Sequence, residues 1–258
     1  MSSRPDGMCH LCGQQGPLTF EHIPLRRVFN RFPVFLNTFE TMLKKYKTPR
    51  KLRAGMGRRT LCMTCNSVTA ARYGDAFADW TIQATRYANL SNASTPICVP
   101  FEIKPLNVIK QIMAMALATT DFAGPDYLIA HRRFVLHPFE RHLPPQVRVF
   151  VYFNPGQRYR LSGNAAILRN GISNYILADI AFPPLGYCVT HADSGRPPLA
   201  EIEGLCDITW FSEFHWQQKR HQYLSIPSRT PDGPCPLAFA EKPETTVQGG
   251  TVLCARVK

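Results

Sequence analysis

The chain has 258 residues, 45% of them hydrophobic, and a formal charge of +12 at pH 7. That apolar content permits a real core and excludes a disordered polyelectrolyte. No apolar run is long enough to span a bilayer, and the length allows one large or two modest domains.

The opening residues, Met1 to Asp6, have no apolar signal core, so a cytoplasmic location is the default expectation. Four of the nine cysteines form two Cys-x-x-Cys pairs, Cys9/Cys12 and Cys62/Cys65; Cys98, Cys188, Cys206, Cys235 and Cys254 are scattered singly. This pattern fits a reducing compartment better than a disulfide framework. Two such pairs supply four thiolates, the ligand set of a closed tetrahedral zinc site.

In chain order, Cys9 to Gly13 reads as the first zinc knuckle and Gln14 to Pro17 as a turn. Leu18 to Ile23 reads as a short strand presenting Glu21 and His22, ended by Pro24, which has no amide hydrogen to donate. His10, inside the knuckle, is expected to face solvent, since four thiolates already complete a zinc shell. Residues 25–59 read as a basic insertion. Arg26, Arg27 and Arg31 interleave with Val28, Phe29, Phe32 and Phe35, and Thr38 is placed to cap a helix running to about Thr48, before Pro49. Lys44, Lys45, Lys47, Arg50, Lys51, Arg53, Arg58 and Arg59 follow, with Glu40 the single acid between Ile23 and Arg59. Charge runs are usually solvated faces. Residues 1–95 nevertheless hold 14 Lys and Arg against 5 Asp and Glu, a net of +9, whereas residues 96–258 hold 16 against 13, a net of +3. A polyanion is the natural partner of such an excess, and the run is read as an arm that grips a nucleic-acid backbone.

The second knuckle leads into a helix expected over about Asn66 to Tyr87. Tyr73, Phe77, Trp80, Ala84 and Tyr87 recur at alternating four and three spacing and form one core-facing stripe. Asp75 lies off that stripe and is expected at the surface, with a place at a metal as the alternative. Zinc on the two knuckles ties the Glu21–His22 segment to Asn66. The triple can then hold one hard cation through Glu21 and Asn66 oxygens and leave His22 as a base.

Taken together, Cys9-x-x-Cys12, Glu21-His22-Ile23-Pro24 and Leu61-Cys62-x-x-Cys65-Asn66 resemble a zinc-braced HNH endonuclease, of the ββα-metal or His-Me finger type. The last run is also similar to phage endonucleases that resolve branched DNA. The resemblance covers the first third of the chain. It differs in having Glu21 where aspartate is common, Gly57 and Arg58 in the region of the middle asparagine, and a long gap between His22 and Asn66. It implies a structural Zn²⁺ on Cys9, Cys12, Cys62 and Cys65. It also implies a catalytic Mg²⁺ or Mn²⁺ on Glu21 and Asn66, with His22 as general base. Arg26, Arg27, Arg58 and Arg59 are then the nearest cations for flanking phosphates.

Leu90 to Pro96 is the best boundary in the chain, giving an HNH domain over 1–95 and a second α+β domain over 96–258. In the second part, Pro105 opens a helix expected to run to about Thr120 and to be buried on most sides. Strands are expected at 147–153, 175–182, 185–190, 205–211 and 251–257. His131, His137, His142, His191, His215 and His221 show no ligand spacing. The fold class expected is therefore α+β.

The function expected is metal-dependent hydrolysis of nucleic-acid phosphodiesters, DNA before RNA, in the manner of a bacterial or phage defence effector. The second half would regulate or target the cut, and a regulatory protein or a second copy of the chain stays open as a further partner. The rival expectation is a zinc-stabilised nucleic-acid-binding regulator without catalysis, which the cysteines and the basic arm fit equally well. Glu21-His22 with Asn66 favours the enzyme, because a pure binder does not need them.

Overall fold

The computed structural model describes residues 5–38, 50–52, 55–88, 90, 96–120, 128–155, 158–169, 172–192, 204–229, 246–248 and 251–256. Helices and antiparallel sheets are mixed along the chain, an α+β arrangement. No helix among the described residues is long and apolar enough to cross a membrane.

The first unit is a small sheet with strand order β1 (Asp6–Met8), β2 (Gln15–His22) and β5 (Gly57–Cys62). Strands β2 and β5 run antiparallel, with Leu18 opposite Cys62 and His22 opposite Gly57. Helix α1 (Met63–Thr85) leaves β5 directly. It starts three residues before the expected Asn66, because the Cys62 sulfur accepts from the Cys65 amide and caps the first turn. Its apolar stripe is buried as expected. Trp80 lies at the centre, stacked on Phe101 at 5.1 Å and edge-on to Phe211 at 5.4 Å.

Between β2 and β5, strands β3 (Val34–Thr38) and β4 (Arg50–Leu52) leave this unit. They join the edge of the large sheet built mainly from the second half of the chain. That sheet contains β7 (Val147–Phe153), β8 (Arg158–Arg169), β9 (Ile172–Phe182), β10 (Leu185–Ala192), β11 (Cys206–Asp207), β13 (Thr246–Gln248) and β14 (Thr251–Arg256). Its order is β11-β7-β10-β9-β8-β14-β3-β4, with β13 also on β8. Strands β6 (Ile97–Ile103) and β12 (Arg220–Ile226) form a separate pair.

Helix α2 (Pro105–Thr119) is buried along its whole length, and it packs against α1, α3 (Leu128–Leu136), β5 and strands β8 to β10. An apolar residue on every side is what such a central helix requires. Gly163 in β8 lets the end of α2 come close, since a Cβ there would lie 2.4 Å from the Thr119 carbonyl. One hydrophobic cluster runs from Cys9 and Leu61 through Trp80 and Ile112 to Val151 and Ile226. The proposed cut at residue 95 therefore crosses a shared core.

The end of α2 is also sewn to the knuckle sheet. The Arg58 guanidinium donates to the Thr119 carbonyl, Thr60 Oγ1 donates to Ala118 at 2.9 Å, and His10 Nδ1 lies 3.1 Å from the Leu117 carbonyl. These are carbonyls that a helix terminus leaves without internal partners. The expectation that His10 faces solvent is thus corrected. Its half-buried ring points inward, and burial lowers its pKa.

One further expectation differs. The strand expected over 205–211 is only β11, because Asp207 Oδ1 accepts from the Thr209 amide at 2.8 Å and turns the chain into a 3-10 helix, Thr209–Glu213. Thr38 ends strand β3, and the helix expected after it falls on residues 39–48, outside the described residues.

Candidate metal and phosphodiester site

The knuckle begins where β1 stops. The Cys9 amide donates to Gln14, the Gly13 amide returns to Cys9, and the His10 amide reaches Thr60 in β5. Gly13 holds φ of +74°, a left-handed turn that suits glycine. Cys62 ends β5 and Cys65 lies in the first turn of α1. The four sulfurs lie within 4.8 Å of one another, and Cys12 and Cys62 sulfurs are 3.9 Å apart. A tetrahedron with Zn–S bonds of about 2.3 Å has sulfurs about 3.8 Å apart, so the donor set fits zinc. Among the described residues this is the one group of three or more His, Cys, Asp or Glu placed to hold a metal ion. The Cys9 thiol is held far below the usual thiol range, first by its hydrogen bond with Cys65 and then by backbone amides of Cys12, Cys62 and Leu11. Cys65 is pushed up by the same contact.

Glu21 and His22 sit at the end of β2, where successive side chains point to opposite faces. Glu21 is 4% exposed, and no hydrogen bond or ion pair to its carboxyl group occurs among the described residues. Burial alone raises its pKa to about 8. His22 is half-buried, its ring edge-on to Phe20 at 4.9 Å.

Asn66, in the first turn of α1, donates through Nδ2 to Thr19 Oγ1 at 3.1 Å and to the Phe20 carbonyl at 3.3 Å. Thr19 in turn donates to the Leu61 carbonyl at 3.0 Å. The Phe20 carbonyl belongs to the peptide that leads into Glu21. The structure thus places the Asn66 carboxamide beside the strand that carries Glu21. Glu21 and Asn66 are carried on neighbouring stretches of β2 and α1.

The arginines divide by role. Arg27 pairs with Asp75, whose carboxylate is 81% exposed, so Asp75 stands at the surface as an ion-pair partner. Arg26 is exposed. Arg59 is exposed too, with its guanidinium 6.0 Å from the Phe20 ring centre. Arg58 is half-buried on Thr119 and acts in packing. Lys44, Lys45, Lys47 and Arg53 lie outside the described residues; Arg50 and Lys51 belong to β4 by their backbone.

Sequence reasoning did not find Thr19 or Asn30. Asn30 is buried, donating to the carbonyls of Pro24 at 2.6 Å and Met56 at 2.7 Å and accepting from the Met56 amide at 2.7 Å. It locks the loop after His22 onto the start of β5. The one signal available was an asparagine within an otherwise basic and aromatic run. Gly57 has a steric reason, since a Cβ there would lie 2.0 Å from the Glu21 carbonyl. No side chain fits opposite His22.

No protein-family model, curated protein or solved structure matches this chain.

Proposed function

We propose that the chain is a zinc-braced, metal-dependent endonuclease of HNH type that hydrolyses nucleic-acid phosphodiesters, DNA before RNA. The observation that supports this reading most is the Asn66 carboxamide bonded to the backbone of the strand that carries the buried Glu21, whose carboxyl has no hydrogen-bond partner among the described residues. A strand pair feeding a helix, with four cysteines at the junction, gives that pair its rigid frame.

In this reading the zinc is structural, because four thiolates leave no open position. A divalent ion such as Mg²⁺ or Mn²⁺, held by Glu21 and Asn66 Oδ1, would stabilise charge on the phosphate and the leaving oxygen. The chain's own residues supply the rest. Burial keeps the Glu21 carboxyl protonated up to about pH 8 when it is alone, so cation binding releases a proton from it. An imidazole nitrogen of His22 takes a proton from water as the water oxygen bonds to phosphorus. The bond from phosphorus to the leaving oxygen breaks, and that oxygen is protonated in turn. Arg26 and Arg59 hold flanking phosphates, and the arm around Lys44 to Arg53 extends the grip. Residues 96–258, with nearly balanced charge, regulate or target the cut.

The rival reading is a zinc-stabilised nucleic-acid-binding regulator. It draws on Gly57, which leaves the place opposite His22 without a side chain. Incubation of the full chain with plasmid and single-stranded DNA in Mg²⁺, in Mn²⁺ and with chelator separates the two. Metal-dependent strand scission is expected. Binding without scission under all three conditions would establish the regulator.

A further inference from the structure

The loop after His22 carries Phe29, whose φ is +68°. A bulky residue in the left-handed region is uncommon, and such strain persists where surrounding contacts enforce it. Here the enforcing contacts are the three hydrogen bonds of Asn30 to Pro24 and Met56. The Phe29 ring that this conformation presents is 40% exposed, an arrangement that gains nothing for the core.

That ring borders a cavity of about 270 Å³ at the seam between the loop and the large sheet. Asn154 and Pro155 after β7, and Pro183 and Pro184 before β10, contribute to the walls. Tyr159 of β8 adds a second aromatic ring, held in place by stacking on Phe182 at 4.4 Å. The volume is just below the small-ligand range of about 300–1,000 Å³, so it suits one flat ring system. Thr85, the last residue of α1, and Ala88, just after it, complete the rim. Asn66 and Thr85 are separated by about 28 Å along α1, at 1.5 Å per residue. Four exposed arginines, Arg26, Arg27, Arg31 and Arg86, belong to the loop and this helix, against the exposed carboxylates Asp75 and Asp79. Arg27 and Asp75 neutralise each other, which leaves Arg26, Arg31 and Arg86 against Asp79.

We propose that this groove holds one unpaired base of a nucleic-acid strand between Phe29 and Tyr159. The same strand then passes along the arginine-bearing loop to the Glu21, His22 and Asn66 site. The inference rests on the nuclease reading and narrows its substrate class to nucleic acid with a single-stranded segment. A strand at the stacked spacing of about 3.4 Å per nucleotide needs about eight nucleotides to span both places. Aromatic stacking tolerates any base, so the groove confers strand type and not sequence.

The test uses the full chain and single strands carrying the fluorescent base analogue 2-aminopurine. Phe29→Gly removes the ring yet suits the left-handed backbone, so folding is retained; Tyr159→Leu removes the second ring. Each is expected to weaken single-strand binding about 5–150-fold, the range for loss of one base–aromatic stack. Duplex affinity and the slope against salt should be unchanged, because no phosphate contact is lost. Analogue fluorescence should be quenched by the parent and recover in both variants, and strands shorter than about eight nucleotides should lose the stacking contribution. A parent that binds and cuts while both variants bind single strands as it does overturns the groove alone. A parent that binds no nucleic acid overturns the nuclease reading and the groove together.

Discussion

The carboxamide of Asn66 donates to the backbone carbonyl of Phe20 across 3.3 Å. Helix α1 is thereby fastened to the peptide that carries Glu21, and zinc, if removed, would loosen both ends of that fastening. Structure and chemistry should separate by mutation around it. His22→Ala is expected to lower cleavage about 10²–10⁴-fold while zinc content and melting temperature stay near the parent's. Asn66→Ala should shift the Mg²⁺ dependence and cost about 1 kcal/mol of stability for each of the two hydrogen bonds lost, to Thr19 and Phe20. Cleavage rates against metal concentration, with melting curves on the same samples, check both. Metal-dependent cutting that persists undiminished in His22→Ala would remove the imidazole from the mechanism.

Zinc content gives an independent check. About one zinc per chain is expected from four cysteine ligands. Cys62→Ala should lose the metal and much of the fold, because the energy of a structural site is folding energy. It would lose the α1 cap as well, since the Cys62 sulfur accepts from the Cys65 amide. Elemental analysis and circular dichroism read the two effects. A chain that purifies without zinc, fully folded, would leave the cluster as four packed thiols.

Residues 1–95 expressed alone are expected to show no cooperative unfolding transition. Trp80 would lose Phe101 and Phe211, and Arg58, Thr60 and His10 would lose their carbonyl partners on α2. Losing a buried aromatic contact set of this kind costs about 3–5 kcal/mol in a core. A fragment that melts cooperatively would show that the knuckle unit stands by itself.

Lys110 predicts a pH dependence of stability. It is fully buried in α2, donating to the carbonyls of Phe134 and, at 2.9 Å, His137. Burial lowers its pKa to about 7, opposed by the charge of Glu140. Between about pH 7 and the unfolded lysine value of about 10.4, the unfolded chain binds more protons at this site. Stability therefore rises with pH across that window and loses this contribution below about pH 7. Against Lys110→Met, which cannot titrate, the parent should gain urea resistance from pH 7 to about 9.5. Parallel midpoints across the window would show that Lys110 titrates alike in both states.

Neutralising Lys44, Lys45, Lys47, Arg50, Lys51 and Arg53 together is expected to weaken nucleic-acid binding and to flatten its salt dependence. Each lost phosphate contact removes about 0.9 from the slope of log affinity against log salt on duplex DNA. Binding titrations at several salt concentrations decide the matter. A slope equal to the parent's would mean that the run is a solvated face.

The elements legible in the sequence were those whose signal is local. Cysteine spacing announced the cluster, because a Cys-x-x-Cys turn brings its own two sulfurs together wherever it lies. The stripe of α1 and the all-round apolar character of α2 announced their burial, because helical period acts within a few turns. The strand 147–153 was equally plain from its β-branched and aromatic run. What tertiary structure alone decided was everything set by partners distant in the chain. Strands β3 and β4 belong to the large sheet because β14 pairs with β3, more than two hundred residues away. His10 and Arg58, which read as solvent-facing or phosphate-facing by charge, turn to the end of α2 because its carbonyls need donors there. The raised pKa of Glu21 is of the same kind: its identity was in the sequence, but the loss of water around it came only from packing. Phe29 and Tyr159, separated by about half the chain, share one cavity only because the loop after His22 is locked by Asn30 and the large sheet folds back to meet it.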